Sequence, residues 1–192
     1  MKRNQHCKSL KSKLFIAGFI IAVAAAGGTL LYSRKLWLPY CFYNADTFKT
    51  EISTAAKKYG LPVDLVKALI RQESKFYPRA IGKDGEIGLM QIHPAGAAAE
   101  WARINRCPVP SPAQLMDVNV NLNIGCWYLA RAINKWKQYR HGTELALAQY
   151  NAGAANAAKW KPSAKDGEVI PLITWPGTRQ YVINIMKNYR KE

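Results

Sequence analysis

The chain has 192 residues, of which 49% are hydrophobic and 11% are aromatic. This composition supports a packed domain of ordinary size and excludes a chain that is disordered throughout. Lys and Arg outnumber Asp and Glu by 28 to 12, which gives a net charge of +16. A chain this basic suits anionic partners such as nucleic acid, anionic lipid or anionic cell-wall polymer, and composition alone does not choose among them.

The N-terminal part of the sequence has the pattern of a membrane anchor. A basic stretch, residues 1–13, precedes residues 14–31, which are 18 residues without a charge. Since about 20 apolar residues span a bilayer, we predict a transmembrane helix or signal anchor over residues 14–32. A signal peptide cleaved at small residues within 22–26 is the alternative, and a buried core helix is a third interpretation.

The basic stretch fixes the expected orientation of the anchor. Basic residues stay on the cytoplasmic side, so residues 1–13 are predicted to lie in the cytoplasm. A linker at 33–43 and a domain at 44–192 then face the periplasm, with the single span in the inner membrane. This location argues against nucleic acid as a partner.

Helices are predicted along most of the exported part, and strand signals are scarce. Asp46, Asp117 and Thr143 are the predicted helix caps. The turn chemistry of "IGKDGEIG", residues 81–88, predicts a tight loop or small hairpin. The predicted helices are 46–59, a helix that starts at Pro62 and carries Glu73, 94–104, 117–139, one from Thr143 to the break at "NAG", a short helix to Trp160, and 176–190. The sequence therefore predicts a mainly α domain.

Cysteine placement allows one disulfide beyond the membrane. Cys7 precedes the apolar run, whereas Cys41, Cys107 and Cys126 follow it. An oxidising compartment favours a Cys107–Cys126 pair, and three free thiols are the alternative. The sequence has no Cys/His cluster of the kind that holds zinc, and its histidines are scattered. We therefore expect no metal and no organic cofactor.

Glu73 occupies an unusual position in its helix. Val66, Leu69 and Ile70 stand seven, four and three residues earlier, so Glu73 falls on the same apolar face. A carboxylate at a helix end can simply turn to solvent, and in that interpretation Glu73 has no functional role. A carboxyl group held in an apolar setting instead has a raised pKa, as a general acid requires near neutral pH.

Five short motifs occur in a particular order along the chain. They are "RQES", "GLMQI", "NVNLNIG", "AQYNAG" and "TRQYV". Together they resemble the catalytic domain of soluble-type, family 1 lytic transglycosylases, which belong to glycoside hydrolase family 23. The resemblance runs from about Asp46 to Tyr189. It implies a goose-lysozyme-like helical domain with a groove for a glycan strand.

The resemblance also assigns roles to individual residues. It implies that Glu73 is the catalytic glutamate, that Ser74 is its companion and binds substrate, and that Tyr150 is the substrate-binding tyrosine that hydrogen-bonds the glutamate. It places Met90 and Gln91 beside the scissile bond, and it makes Asn151 a substrate-binding amide. Trp101, Trp175 and Tyr181 are candidates for stacking on sugar rings, but core packing is the commoner role of such residues, so they receive no site role.

Two positions depart from the family pattern. Gly177 stands where many relatives carry an acidic residue before the Thr of the last motif. Glu86 stands where relatives commonly carry a small residue. We interpret Glu86 as a solvated loop charge, and an extra carboxylate at the groove rim is the alternative.

The resemblance implies an enzyme that acts on peptidoglycan glycan strands, and the predicted anchor would hold this enzyme at the membrane. Glu73, as a single catalytic carboxyl group, would cleave the MurNAc-GlcNAc β-1,4 bond and form 1,6-anhydroMurNAc, with help from the substrate's own N-acetyl group. A lysozyme-type hydrolase that uses water and a non-catalytic wall-binding protein are the alternatives. The sequence does not decide which process the enzyme serves. A secretion, conjugation or pilus assembly and general wall turnover fit it equally well.

Overall fold

The computed structural model describes residues 43–190. The predicted cytoplasmic stretch 1–13 and transmembrane helix 14–32 lie outside these residues, as does the predicted linker except for Tyr43. No helix in the described part of the chain is long and apolar enough to cross a membrane. Residues 43–190 belong to one compact unit.

Short α-helices joined by loops make up nearly all of the regular structure within residues 43–190. The α-helices are α1 (Lys49–Lys58), α2 (Val63–Ser74), α3 (Ala99–Asn105), α4 (Pro112–Leu115), α5 (Val118–Trp136), α6 (Gly142–Ala152), α7 (Ala154–Lys159) and α8 (Pro176–Tyr189). A π-helical turn, Pro94–Ala98, precedes α3, and a 3-10 turn, Ile170–Leu172, precedes α8. The predicted mainly α fold is confirmed.

The core lies around α5 and α6. α5 packs against α1 and α6, while α8 packs against both α2 and α6. Most of the side chains that fill this core are aliphatic, and burial of each large one contributes roughly 1.5–3 kcal/mol. Fully buried examples are Ile52, Leu65, Leu69, Ile70, Leu122, Ile124, Leu129 and Leu145. The contact between α2 and α8 brings the end of α2 to the site described below.

Residues with positive φ end several helices. Gly60 follows α1 with a φ of 65°, and Gly153 follows α6 with a φ of 84°. Glycine adopts this region without a steric penalty, so both predicted helix breaks are confirmed. Lys75 and Phe76 after α2 also have positive φ, 51° and 65°. They stop α2 just after Glu73, before Pro78 is reached.

A small β-like element lies between α2 and the π-helical turn. Ile81 pairs with Ile87, and Ile87 pairs in turn with Ile92. The N–H of Gly82 donates to the carbonyl of Glu86 at 2.8 Å, which closes a tight turn. The small hairpin predicted for residues 81–88 is confirmed.

The predicted helix caps have mixed outcomes. Asp117 caps α5 as predicted, since its side chain accepts the N–H of Val120 at 3.0 Å. The Asp46 prediction is wrong because the Asn44 side chain organises that turn, and α1 begins at Lys49. The Thr143 prediction is also wrong, since α6 begins one residue earlier at Gly142.

The structure does not contain the predicted Cys107–Cys126 disulfide, since both thiols are free. Cys126 is fully buried on α5, and its Sγ lies 4.0 Å from the Sδ of Met90. Burial raises the pKa of Cys126 to about 12. Cys107 lies on the partly exposed turn after α3. Cys126 is thus a core thiol and Cys107 a surface thiol, and this difference could not be predicted from the sequence.

Candidate active site

Glu73 is the second-last residue of α2. Val66, Leu69 and Ile70, which share its helical face, are fully buried. Glu73 itself is only partly buried, because the apolar face opens at this end of the helix into a cleft. The prediction that Glu73 lies on the inward face is confirmed, and the interpretation that it simply turns to solvent is not.

A tyrosine from the far end of the domain holds the Glu73 carboxyl group. The Tyr181 hydroxyl on α8 donates to Oε1 of Glu73 at 2.5 Å, across 108 residues of sequence. Tyr150, to which this bond was assigned, instead donates to the carbonyl of Met90 at 2.9 Å. The assignment to Tyr150 is therefore wrong, and Tyr181 was missed although it belongs to the "TRQYV" motif.

The environment of Glu73 changes its acidity. Burial raises the pKa of Glu73 to about 7, since the charged form loses hydration. The Tyr181 hydrogen bond lowers this pKa, and the nearby charge of Glu86 raises it. Burial also raises the pKa values of Tyr150 and Tyr181 well above 10. Both hydroxyl groups therefore stay protonated and act as donors.

The turn at residues 88–91 faces Glu73 and is fixed by a buried amide. The Asn121 side chain on α5 accepts the N–H of Met90 at 2.8 Å. It also donates to the carbonyls of Ile87 at 2.8 Å and Leu115 at 2.7 Å. Asn121 lies in the "NVNLNIG" motif, but no role was predicted for it.

Two glycines allow this turn to sit close to α5. A Cβ on Gly88 would lie 2.2 Å from the Asn121 Nδ2, and Gly88 also has a φ of 82°. A Cβ on Gly125 would lie 2.4 Å from the Met90 Sδ. Larger residues at either position would push the turn away from α5.

Ser74 and Met90 lie beneath the cleft rather than in it. The Ser74 hydroxyl is buried and donates to the carbonyl of Leu89 at 2.8 Å, which joins the end of α2 to the turn. The Met90 side chain is fully buried against α5. The prediction that these two residues contact substrate therefore needs correction: both position the turn and the glutamate.

The cleft beside Glu73 has a volume of about 390 Å³. The predicted residues Gln91, Tyr150 and Asn151 line it together with Glu73, and so does Glu86. Asn151 is exposed, and its Oδ1 accepts the Thr178 hydroxyl at 2.7 Å. The cleft can therefore present two carboxyl groups and two amide side chains to a ligand.

No group of three or more His, Cys, Asp or Glu side chains in residues 43–190 could hold a metal ion. The polar groups of the cleft are instead those of proton transfer and hydrogen bonding. An acid with a pKa near 7 is able to donate a proton at neutral pH and to accept it again.

Tyr181→Phe is expected to raise the pKa of Glu73 above its wild-type value of about 7. The lost hydroxyl stabilises the carboxylate, so the proton is held more tightly without it. Carbon NMR titration of the labelled Glu73 carboxyl group would measure the change. Tyr150→Phe is the matched control, because its hydroxyl bonds Met90, and its titration should follow wild type. Equal titration in all three proteins would contradict the assignment of the bond.

Comparison with known proteins agrees with this fold. The transglycosylase SLT domain matches residues 50–173, and the chain belongs to this family. The "membrane-bound lytic murein transglycosylase E" of Buchnera aphidicola is 30% identical over 145 residues, covering 73% of this chain and 65% of the relative. The "soluble lytic murein transglycosylase" of Escherichia coli is 33% identical over 150 residues, covering 75% of this chain and 22% of that protein. The chain thus spans less than two thirds of either relative.

Solved structures show the same fold. The lytic transglycosylase Slt of Pseudomonas aeruginosa, solved as an inactive mutant, is 31% identical with a TM-score of 0.64, covering 73% of this chain and 23% of that one. The soluble lytic transglycosylase of Escherichia coli is 28% identical with a TM-score of 0.65, covering 75% and 24%. The expected lysozyme-like lytic transglycosylase fold is confirmed.

Proposed function

We propose that the protein is a peptidoglycan lytic transglycosylase that cleaves the β-1,4 bond between MurNAc and GlcNAc. The observation that carries the proposal is Glu73, a carboxyl group with a pKa of about 7 in a cleft on an SLT domain. At neutral pH such a group is protonated in a large share of the molecules, as a general acid requires. The lytic murein transglycosylases among its relatives support the same reaction.

In the proposed reaction Glu73 acts twice. It first protonates the glycosidic oxygen, so the bond to C1 of MurNAc breaks and GlcNAc leaves with the proton. The neighbouring N-acetyl group stabilises the positive charge that develops at C1, as in substrate-assisted glycosidases. Glu73, now a carboxylate, takes the proton of the C6 hydroxyl, whose oxygen bonds C1. The product is 1,6-anhydroMurNAc, and Glu73 regains its proton.

Other side chains have proposed roles around this carboxyl group. The Tyr181 hydrogen bond fixes the Glu73 carboxyl group and stabilises its charged form during the second step. Gln91 and Asn151 line the cleft and present polar groups at which sugar hydroxyl and acetamido groups could bind. Glu73 is thus proposed as the single catalytic carboxyl group.

We also propose that residues 14–32 anchor the protein in the inner membrane with the domain in the periplasm. The charge-free run behind a basic N-terminus supports an anchor. A relative named as membrane-bound is consistent with it. A tethered domain would open the wall locally, which suits a secretion, conjugation or pilus assembly, and it suits general wall turnover equally well.

The product of the wild-type protein tests the proposal. Purified glycan strands digested in heavy-oxygen water should yield fragments that end in 1,6-anhydroMurNAc without the label, because no water enters the product. Mass spectrometry of the released muropeptides reads both features at once. Labelled, reducing MurNAc ends would instead assign the domain as a lysozyme-type hydrolase, and no release at all would support a wall-binding protein.

A further inference from the structure

The hairpin at residues 81–87 brings a second carboxyl group to the cleft. The Gly82 N–H donates to the Glu86 carbonyl, and Gly85 provides the positive φ of the turn between them. Ile87, the next residue, is buried and paired with Ile92, so the position of Glu86 is fixed from its C-terminal side. Glu86 then lines the same cleft as Glu73.

The Glu86 side chain lies against the hairpin rather than extending into solvent. Its Oε2 accepts the backbone N–H of Asp84 at 3.1 Å. A Cβ on Gly82 would lie 2.2 Å from this same oxygen and 2.7 Å from the Oε1 of Gln91. The carboxylate therefore occupies the space that the missing side chain of Gly82 leaves, beside Gln91. The interpretation of Glu86 as a solvated loop charge is wrong, and its alternative at the groove rim is supported.

Among the described residues Glu86 has no ion-pair partner, although Lys83 lines the same cleft. Within residues 43–190 Glu86 forms no salt bridge, and its one side-chain hydrogen bond is to a backbone N–H. The charge acts across a partly enclosed cleft, where it is screened less than on an open surface. The other titratable groups that surround Glu73 or line its cleft are Tyr181 on α8, Tyr150 on α6, Tyr128 on α5, His93 before the π-helical turn and Lys83 on the hairpin.

We propose that Glu86 is a positioning residue for the proposed transglycosylase reaction, whose negative charge keeps the proton on Glu73 until the glycosidic oxygen takes it. The proposal rests on the proposed function of Glu73. It agrees with the direction in which the Glu86 charge moves the pKa of Glu73, which is upward. Glu86 itself neither gives nor receives a proton in this scheme.

The same repulsion acts in the second half of the reaction. Once Glu73 has given up its proton, two carboxylates share one cleft, and the charge of Glu86 disfavours the charge of Glu73. Glu73 is then a stronger base toward the C6 hydroxyl than an isolated carboxylate. The charge of Glu86 thus favours the protonated form of Glu73 before cleavage, and it favours the return of the proton to Glu73 afterwards.

Glu86→Gln tests the proposal through the pH dependence of kcat/KM for glycan-strand cleavage. The general acid must be protonated, so activity falls as pH rises through the pKa of Glu73. Removing the like charge lowers that pKa and moves the fall to lower pH. If the pKa of Glu73 falls by about half a unit, we expect a loss of about threefold relative to wild type at pH 8, where the protonated fraction changes tenfold per pKa unit, and no difference at pH 5, where Glu73 is protonated in both proteins.

Matched variants separate charge from structure. Asp84→Asn removes an exposed acid of the same hairpin that does not line the cleft, so its pH profile should match wild type. Glu86→Asp keeps the charge and should keep the fall of activity near its wild-type pH. Carbon NMR titration of the Glu73 carboxyl group compares its pKa in Glu86→Gln and in wild type without substrate.

An unmoved profile in Glu86→Gln, or an equal loss at pH 5 and pH 8, would overturn the role of Glu86 while leaving Glu73 as the acid. The proposed function fails separately, if cleavage by the wild-type protein does not depend on Glu73. A profile that moves equally in Asp84→Asn would show that the general charge of the hairpin, rather than Glu86, is responsible, and would also overturn the proposal.

Discussion

Glu73→Gln is expected to lower glycan-strand cleavage by about a hundredfold or more, because an amide can neither protonate the leaving oxygen nor accept the hydroxyl proton. Glutamine keeps the length of the side chain and can still accept the Tyr181 hydroxyl, so the helical structure should be unchanged. Release of soluble muropeptides measures the activity, and circular dichroism measures the fold. Binding to insoluble glycan strands should persist.

Glu51→Gln is a suitable control for this experiment. It removes one carboxylate from α1, which does not contribute to the cleft, and cleavage should stay at the wild-type level. A Glu73→Gln protein that cleaves at the wild-type rate would contradict both the transglycosylase and the hydrolase mechanisms, because each uses Glu73 as its acid.

Asn121→Ala is expected to lower the free energy of unfolding by about 3 kcal/mol, since the buried Met90 N–H and Leu115 carbonyl lose their partner and the Ile87 carbonyl keeps only the N–H of Ile92. Asn121 is 1% exposed, so water does not readily replace the amide. Urea unfolding at neutral pH would measure the loss. Cleavage should fall as well, because the 88–91 turn beside Glu73 is no longer held.

Asn119→Ala is the matched control for Asn121→Ala. Asn119 lies two residues earlier on α5 and is exposed. Its replacement should change the free energy of unfolding by less than about 0.5 kcal/mol. An Asn121→Ala protein as stable as this control would show that the turn does not depend on the buried amide.

The features that sequence predicted well are those decided by neighbouring residues. The inward position of Glu73 follows from the spacing of Val66, Leu69 and Ile70 within one helix. The break after α6 follows from Gly153, whose φ of 84° favours glycine. Both depend on local backbone geometry, which a short stretch of sequence contains.

The features that sequence missed depend on contacts between distant elements. Which tyrosine reaches Glu73 is decided by the packing of α8 on α2, and nothing near Tyr150 or Tyr181 distinguishes them. The start of α6 is another case: a Cβ on Gly142 would lie 2.3 Å from the Trp136 carbonyl. The chain therefore enters α6 at a close approach to α5 that only glycine tolerates, and Thr143 follows inside the helix.

The rim position of Glu86 was predicted only as an alternative for the same reason. Its sequence neighbours, Asp84 and Gly85, are typical of a solvated turn. Its placement depends on the bare Cα of Gly82, four residues earlier, and on Gln91 in the following turn. Gly82 and Glu86 belong to the turn at residues 81–88 and Gln91 belongs to "GLMQI", so the contact among them cannot be predicted from either stretch alone.

The backbone N–H and carbonyl groups of Met90 make the turn beside the cleft rigid. Asn121 accepts the N–H of Met90, and Tyr150 donates to its carbonyl, so two helices clamp one residue of the turn. A turn held from both sides in this way loses little conformational entropy when a ligand binds to the cleft. For the proposed glycan substrate, recognition would then select strands that already match the cleft, and a sugar that does not fit would be rejected instead of accommodated.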